Sequence, residues 1–182
     1  MTTAALFLLT LTALSALFDL RTGKVPNRLC AAGLTAGVAL HLCTVILSQP
    51  PSSPASIQLL IKALLLSLAG AALPFALGFP LFRFRTIGAG DIKLLMAAGS
   101  IIGEPLMVLR FIIVSIIIGA VISLLIMIFV TGIRPRIRHL LTYIMLTEAT
   151  GEILPYRDSP DAEFHFTVPV FLAAVIYTIK PF

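Results

Sequence analysis

The sequence predicts an all-α, polytopic membrane protein with about six transmembrane helices and one cytoplasmic amphipathic helix. Of its 182 residues, 59% are apolar and only 12% are charged, and the mean hydropathy is +1.08. Soluble domains have about 45–50% apolar and about 25% charged residues, so this composition excludes a water-facing globule. The apolar residues also fall into runs near the roughly 20 residues that a helix needs to cross a bilayer.

Six apolar runs are the predicted spans, at residues 3–18, 29–47, 63–82, 92–102, 111–130 and 164–179. The run at 92–102 is the shortest and ends at Gly103-Glu104-Pro105, where proline stops a helix. At about 1.5 Å per residue it covers only part of the membrane. We therefore expect its N-terminal neighbour, Asp91, to lie partly within the membrane.

The basic residues predict the orientation. Three loops between the runs are basic: loop one at residues 21–28, loop three at residues 83–93, and loop five, which opens with Arg134, Arg136 and Arg138. The second loop, at residues 48–57, carries no charge. The positive-inside rule then places these three loops in the cytoplasm and the N-terminus outside. We expect a multi-pass protein of the inner (cytoplasmic) membrane, in contact with membrane lipids. Its net charge of +5 is accounted for by these loops and does not indicate a nucleic acid partner.

The cytoplasmic loop at 131–163 is the one long polar stretch. Apolar residues recur in it at helical spacing, which predicts an amphipathic helix on the membrane face; they are Ile137, Leu140, Leu141, Ile144 and Met145. From residue 152 to residue 163 the loop becomes acidic. We see no repeat or linker, and predict a single membrane-embedded domain over residues 1–182.

Asp19 and Asp91 are the candidate catalytic residues. Each stands where an apolar run meets a short basic loop, and both loops are predicted to be cytoplasmic. An acid at a membrane edge is a functional candidate. Two carboxyls that share a site push one pKa up, so one can hold a proton while the other activates water. Such a pair hydrolyses a peptide bond without a metal or another cofactor, and we predict neither.

Five further residues are predicted to support this pair. Gly88 and Gly90 leave the backbone bare beside Asp91, so that a substrate strand can approach. Pro26 and Asn27 form a turn after Asp19. Lys93 is either an electrostatic support or a snorkelling interfacial residue. The helix dipole predicts Asp91, at a helix start, as the carboxylate and Asp19, at a helix end, as the acid.

The alternative interpretation is a non-enzymatic protein, either a small transporter or a pilus-assembly scaffold. In that case Asp91 is a helix N-cap and Asp19 pairs with Arg21 at the interface. Other proteases fit less well. The histidines are scattered without a metalloprotease motif, and Ser100 has neither the following glycine nor the base of a serine protease, so we assign it to helix packing.

The residues around both aspartates resemble motifs of the type IV prepilin peptidase family, a GxGD-type group of intramembrane aspartyl proteases. The segment Gly88-Ala89-Gly90-Asp91-Ile92-Lys93-Leu94 is similar to that family's Gly-x-Gly-Asp-x-Lys-Leu signature. The segment from Asp19 to Asn27 is similar to its Asp-x-Arg-x-x-x-Ile-Pro-Asn motif. The last run is only loosely similar to the family's closing proline-containing helix, and we assign no function to it.

The resemblance implies that Asp19 and Asp91 are a catalytic dyad. Its partners would be prepilin-like precursors, whose basic leader is cleaved on the cytoplasmic side in pilus biogenesis and protein secretion. Larger members carry a loop with two Cys-x-x-Cys pairs and also methylate the product. In this sequence the loop after Asp19 is too short to hold such a cysteine-containing insertion. The sequence has two cysteines, Cys30 and Cys43. We therefore predict a small, peptidase-only member without methyltransferase activity.

Overall fold

The computed structural model describes residues 3–48, 54–83, 87–131, 133–150 and 165–180. All regular elements within these ranges are helical, which confirms the all-α prediction. The helices are α1 (Thr3–Thr22), α2 (Asn27–Ser48), α3 (Pro54–Arg83), α4 (Ala89–Ile102), α5 (Pro105–Ile126), α6 (Ile133–Thr150) and α7 (Thr167–Ile179), with a π-helical turn at Met127–Thr131 after α5.

Four helical segments are long and apolar enough to cross a membrane, and they are Thr3–Thr22, Asn27–Ser48, Ile57–Arg83 and Pro105–Phe129. Many large apolar side chains face outward on them, such as Leu65, Phe79 and Ile117, each more than half exposed. This is the pattern of a lipid-facing surface, and it confirms a polytopic membrane protein. Helices α4 and α7 have only 14 and 13 residues, so a total of six spans stays a prediction.

The described residues form two compact units. One comprises Met1–Ile118 with His165–Phe182, and the other comprises Gly119–Phe164. The second unit contains α6, the helix predicted from the amphipathic pattern, on which Leu141, Ile144 and Met145 are exposed. Residues 151–164, with the acidic stretch of the predicted cytoplasmic loop, lie outside the described residues. The single-domain organisation remains a prediction.

Helix α4 lies at the centre of the first unit. It contacts α1, α2 and α3, and Leu94, Ala97 and Ala98 on it are fully buried. Small residues allow these close contacts. A methyl group on Gly70 of α3 would collide with the carbonyl of Gly99, and one on Gly99 would collide with that of Gly70. The backbones of α3 and α4 therefore touch directly.

Buried polar contacts fix the depth of α4 in the bundle. The hydroxyl of Ser100 donates to the Leu34 carbonyl on α2 at 3.0 Å, and the hydroxyl of Ser67 on α3 donates to the Ser100 carbonyl at 3.0 Å. His41 on α2 donates through Nε2 to the Ile101 carbonyl at 3.1 Å. The assignment of Ser100 to helix packing agrees with these contacts.

A glycine ends α4 as predicted. Gly103 has φ 79°, a positive φ that side chains disfavour, and its N–H donates to the Gly99 carbonyl at 2.8 Å. Pro105 then begins α5. This sharp turn leaves α4 short, with its first turn at the end of the bundle where α1 ends and α2 begins.

Candidate active site

Asp19 lies in the last turn of α1 and is buried, with 8% of the residue exposed. The helix ends three residues later at Thr22. Gly23 follows with φ 64° and donates its N–H to the backbone carbonyl of Asp19 at 2.7 Å. A glycine in this left-handed conformation is a common helix C-terminus. This hydrogen bond fixes the backbone of Asp19 at the point where the chain turns toward α2.

The side chain of Asp19 is held by two residues at the start of α7. The hydroxyl of Thr167 donates to Oδ2 of Asp19 at 2.8 Å. Nδ1 of His165 lies 3.2 Å from the same oxygen, and this is the one ion pair among the described residues when the imidazole is protonated. The alternative partner, Arg21, is not the residue that Asp19 contacts.

Asp91 lies in the first turn of α4, outside the four spanning segments, and it is half-buried. The N-cap of α4 is Gly88, because the helix begins at Ala89. The interpretation of Asp91 as the N-cap is therefore wrong. Its carboxyl instead turns back to Gly88, where a methyl group would lie 3.1 Å from Oδ2. The acid thus occupies the space that the missing side chain of Gly88 leaves open.

The two aspartates influence each other electrostatically. Burial first, and then the negative charge of Asp19, raise the pKa of Asp91 to about 6, although a hydrogen bond from the backbone of Gly88 acts in the opposite direction. A charge acts on a neighbouring carboxyl in this way only over a short distance. The two carboxyls are therefore near enough to interact electrostatically. The dipole argument would lower the pKa of Asp91, and this direction is wrong, because burial and the charge of Asp19 raise it. Which of the two acids ionises first stays a prediction.

Of the predicted supporting residues, Pro26 and Asn27 stand at the start of α2, whereas Gly90 and Lys93 lie with Asp91 on α4. The carbonyl of Pro26 accepts the N–H groups of Leu29 and Cys30 at 3.0 and 3.3 Å, which forms the first turn of α2. Asn27 is the first residue of that helix, and its Oδ1 accepts a 2.9 Å hydrogen bond from Nζ of Lys93. Lys93 therefore ties α4 to α2. Gly90 faces Val25, with room for a methyl group at 3.8 Å.

A cavity of about 330 Å³ opens between α2 and α4. Most of its lining is apolar, with one amide and one ammonium group at the edge; the residues are Asn27, Cys30, Ala31, Leu34, Lys93 and Met96. Because Lys93 follows Asp91 by two residues in the same helix, the cavity begins within one helical turn of Asp91 along α4.

Sequence reasoning missed His165 and Thr167. His165 was considered only as a metal ligand, and no function was assigned to the last apolar run. The available signal was weak. A histidine and a threonine stand at the start of an apolar run that follows an acidic loop. Nothing in that pattern indicates contact with an aspartate 146 and 148 positions earlier.

Comparison with known proteins gives one match. Residues 6–132 match the model of the type IV leader peptidase family. This range includes both aspartates and the cavity residues, and it ends before α7. No curated protein and no solved structure matches the chain.

Proposed function

Since this chain belongs to the type IV leader peptidase family, we propose that it is a membrane aspartyl endopeptidase that cleaves the basic leader from prepilin-like precursors. The proposed catalytic dyad is Asp19 and Asp91. The observation that carries this proposal is the electrostatic coupling of two carboxyls in one site, in a chain otherwise poor in acids. A leader peptidase of this family is a protease, and a coupled carboxyl pair is the chemistry that hydrolysis without a metal requires.

The two carboxyls take different roles in this mechanism. Asp91, with its raised pKa, holds the shared proton and transfers it to the carbonyl oxygen of the scissile bond as water attacks the carbonyl carbon. Asp19 is the proposed carboxylate, since its Oδ2 accepts a hydrogen bond from the hydroxyl of Thr167. It takes a proton from water while the water oxygen bonds to the carbonyl carbon.

The tetrahedral intermediate then collapses. The bond between carbon and nitrogen breaks, and the leaving nitrogen takes the proton from Asp19. The hydroxyl group that formed from the carbonyl oxygen returns its proton to Asp91. The dyad therefore ends in its initial protonation state, as general acid and base catalysis requires.

The substrate reaches the dyad from the cytoplasmic side in this proposal. The basic loops that flank both aspartates support that orientation through the positive-inside rule. The cavity between α2 and α4 takes an apolar side chain of the substrate near the scissile bond. The short loop between Asp19 and α2 supports a peptidase without methyltransferase activity, since it cannot hold the cysteine-containing insertion.

The decisive experiment replaces each aspartate by the amide of equal size. Asp19→Asn and Asp91→Asn should each abolish the gel shift of a co-expressed prepilin while the protein stays in the membrane fraction, because an amide cannot share the proton. Glu104→Gln is the matched control, since Glu104 is an exposed acid after the opposite end of α4. Full processing by either aspartate variant would contradict the proposed function.

A further inference from the structure

We propose that His165 and Thr167 are positioning residues, which hold the carboxylate of Asp19 in the orientation that catalysis needs. This inference rests on the proposed function of Asp19. It concerns a segment outside the family match, which ends at residue 132. In this inference, residues at the start of α7 contribute to the proposed active site.

Both residues direct their donors to one oxygen. Thr167 Oγ1 lies 2.8 Å and His165 Nδ1 lies 3.2 Å from Oδ2 of Asp19. With Asp19 as the proposed carboxylate, whose oxygens only accept, Nδ1 of the imidazole is the donor and carries a proton. Two donors from one helix end fix the plane of the carboxylate. Among the described residues, no donor contacts the other oxygen, Oδ1, and in this proposal Oδ1 faces the attacking water.

The hydroxyl of Thr167 differs in its acceptor from two other threonine hydroxyls, those of Thr12 on α1 and Thr178 on α7. The hydroxyls of Thr12 and Thr178 bond to the backbone carbonyl four residues earlier in their own helix. Thr167 is the first residue of α7 and has no such helical carbonyl. Its side chain is fully buried and reaches across to α1 instead. The acceptor of this buried hydroxyl is thus the proposed catalytic carboxylate itself.

The packing of α7 keeps these donors in place. Pro169, Val170 and Ala173 are fully buried, and α7 lies against α1 along its length. At its other end, Tyr177 packs edge-on against Phe111 at a ring distance of 6.4 Å. The start of α7 is therefore supported by a well-packed helix rather than by a free loop end, as precise positioning of a catalytic group requires.

Paired substitutions separate the hydrogen bonds from the packing. Thr167→Val keeps the shape of threonine and removes the hydroxyl, whereas Thr167→Ser keeps the hydroxyl. Likewise, His165→Leu removes the donor, whereas His165→Asn places an amide N–H near the position of Nδ1. Thr178→Val is the control on the same helix, since its hydroxyl bonds only to the Ala174 carbonyl.

Thr167→Val and His165→Leu should each lower kcat by about 10-fold to 100-fold, the range for losing one hydrogen bond to a charged group. KM for the prepilin should change little, because neither residue is proposed to bind substrate. Thr167→Ser and His165→Asn should recover most of the lost rate. Thr178→Val should behave as the wild type.

The outcomes distinguish this inference from the proposed function. If Asp19→Asn cleaves as well as the wild type, the proposed function fails first. If Asp19→Asn is inactive while Thr167→Val and His165→Leu keep the wild-type kcat, only the inference is overturned. Equal losses in Thr167→Val and Thr167→Ser would also overturn it. If Thr167→Val does not fold, the comparison of His165→Leu with His165→Asn tests the inference instead. The His165 side chain is 26% exposed and therefore tolerates replacement more readily.

Discussion

Thr167 donates a 2.8 Å hydrogen bond to Asp19, a residue 148 positions earlier in the chain. The bond joins the first residue of the last helix to the last turn of the first helix. It also distinguishes the two acids. Asp19 accepts hydrogen bonds from neighbouring side chains, whereas Asp91 faces the bare backbone of Gly88. The site is therefore asymmetric before any substrate binds, and this asymmetry leads to several measurable consequences.

The pH dependence of cleavage should show which acid holds the proton. The pKa of Asp91 is raised to about 6, and the mechanism needs Asp91 protonated. The value of kcat/KM should therefore fall as the pH rises through about 6, since the free enzyme loses this proton. Hydrolysis of a prepilin peptide in detergent between pH 5 and pH 8 would measure this. A rate that rises steadily over that interval would contradict the assignment of Asp91 as the acid.

Gly88 and Gly90 should differ when each is replaced by alanine. A methyl group on Gly88 would lie 3.1 Å from Oδ2 of Asp91, tighter than ordinary contact, whereas one on Gly90 would meet Val25 at an ordinary 3.8 Å. Gly88→Ala should therefore displace the carboxyl and lower kcat by about 10-fold or more, as misplaced catalytic groups do. Gly90→Ala should leave kcat nearly unchanged and raise KM if substrate passes over it. Steady-state kinetics of both variants would test this, and equal kcat values would refute it.

Much of the fold could be predicted from the sequence because apolar runs and proline or glycine stops are local signals. The end of α4 at Gly103 is an example. The apolar run predicted as the third span begins at residue 63, directly after Lys62. The helix in fact begins at Pro54 and continues through Pro74 and Pro80. Backbone hydrogen bonding does not require each residue to be apolar, so hydropathy marks the membrane part of a helix rather than its ends.

The site was predictable only in part, for the same physical reason. Asp19 and Asp91 stand out because a carboxyl is costly near lipid. Their coupling and the contacts of His165 arise from helix packing between distant segments, which no local pattern encodes. The dipole argument also gave the wrong direction for the pKa of Asp91, because burial and the charge of Asp19 raise that pKa, and the size of both effects depends on helix packing that a helix end does not reveal.

Gly103 should be a stability position rather than a catalytic one. Its φ of 79° is disfavoured for any side chain, and a methyl group would lie 2.5 Å from Nε2 of His41. Gly103→Ala should therefore destabilise the fold by about 1–3 kcal/mol, the usual cost of such backbone strain. Thermal unfolding in detergent would measure the loss, with Gly90→Ala as the unstrained control. Unfolding temperatures that agree for the two variants would contradict this account.

The cavity between α2 and α4 gives the last prediction, which concerns substrate binding. Ala31 lines the cavity, whereas the neighbouring Ala32 is exposed and does not line it. Ala31→Leu should fill part of the 330 Å³ and exclude a large apolar side chain of the substrate. We expect KM for the prepilin to rise by about 10-fold or more, since one or two methylene groups in an apolar pocket are worth about 1–3 kcal/mol. The value of kcat should change little, because Ala31 is not in the dyad.

The matched control is Ala32→Leu, which adds the same bulk on the same helix and should keep the wild-type KM. If both leucine variants bind the prepilin as tightly as the wild type, the cavity takes no part in substrate binding, and the role of Asp19 and Asp91 is unaffected.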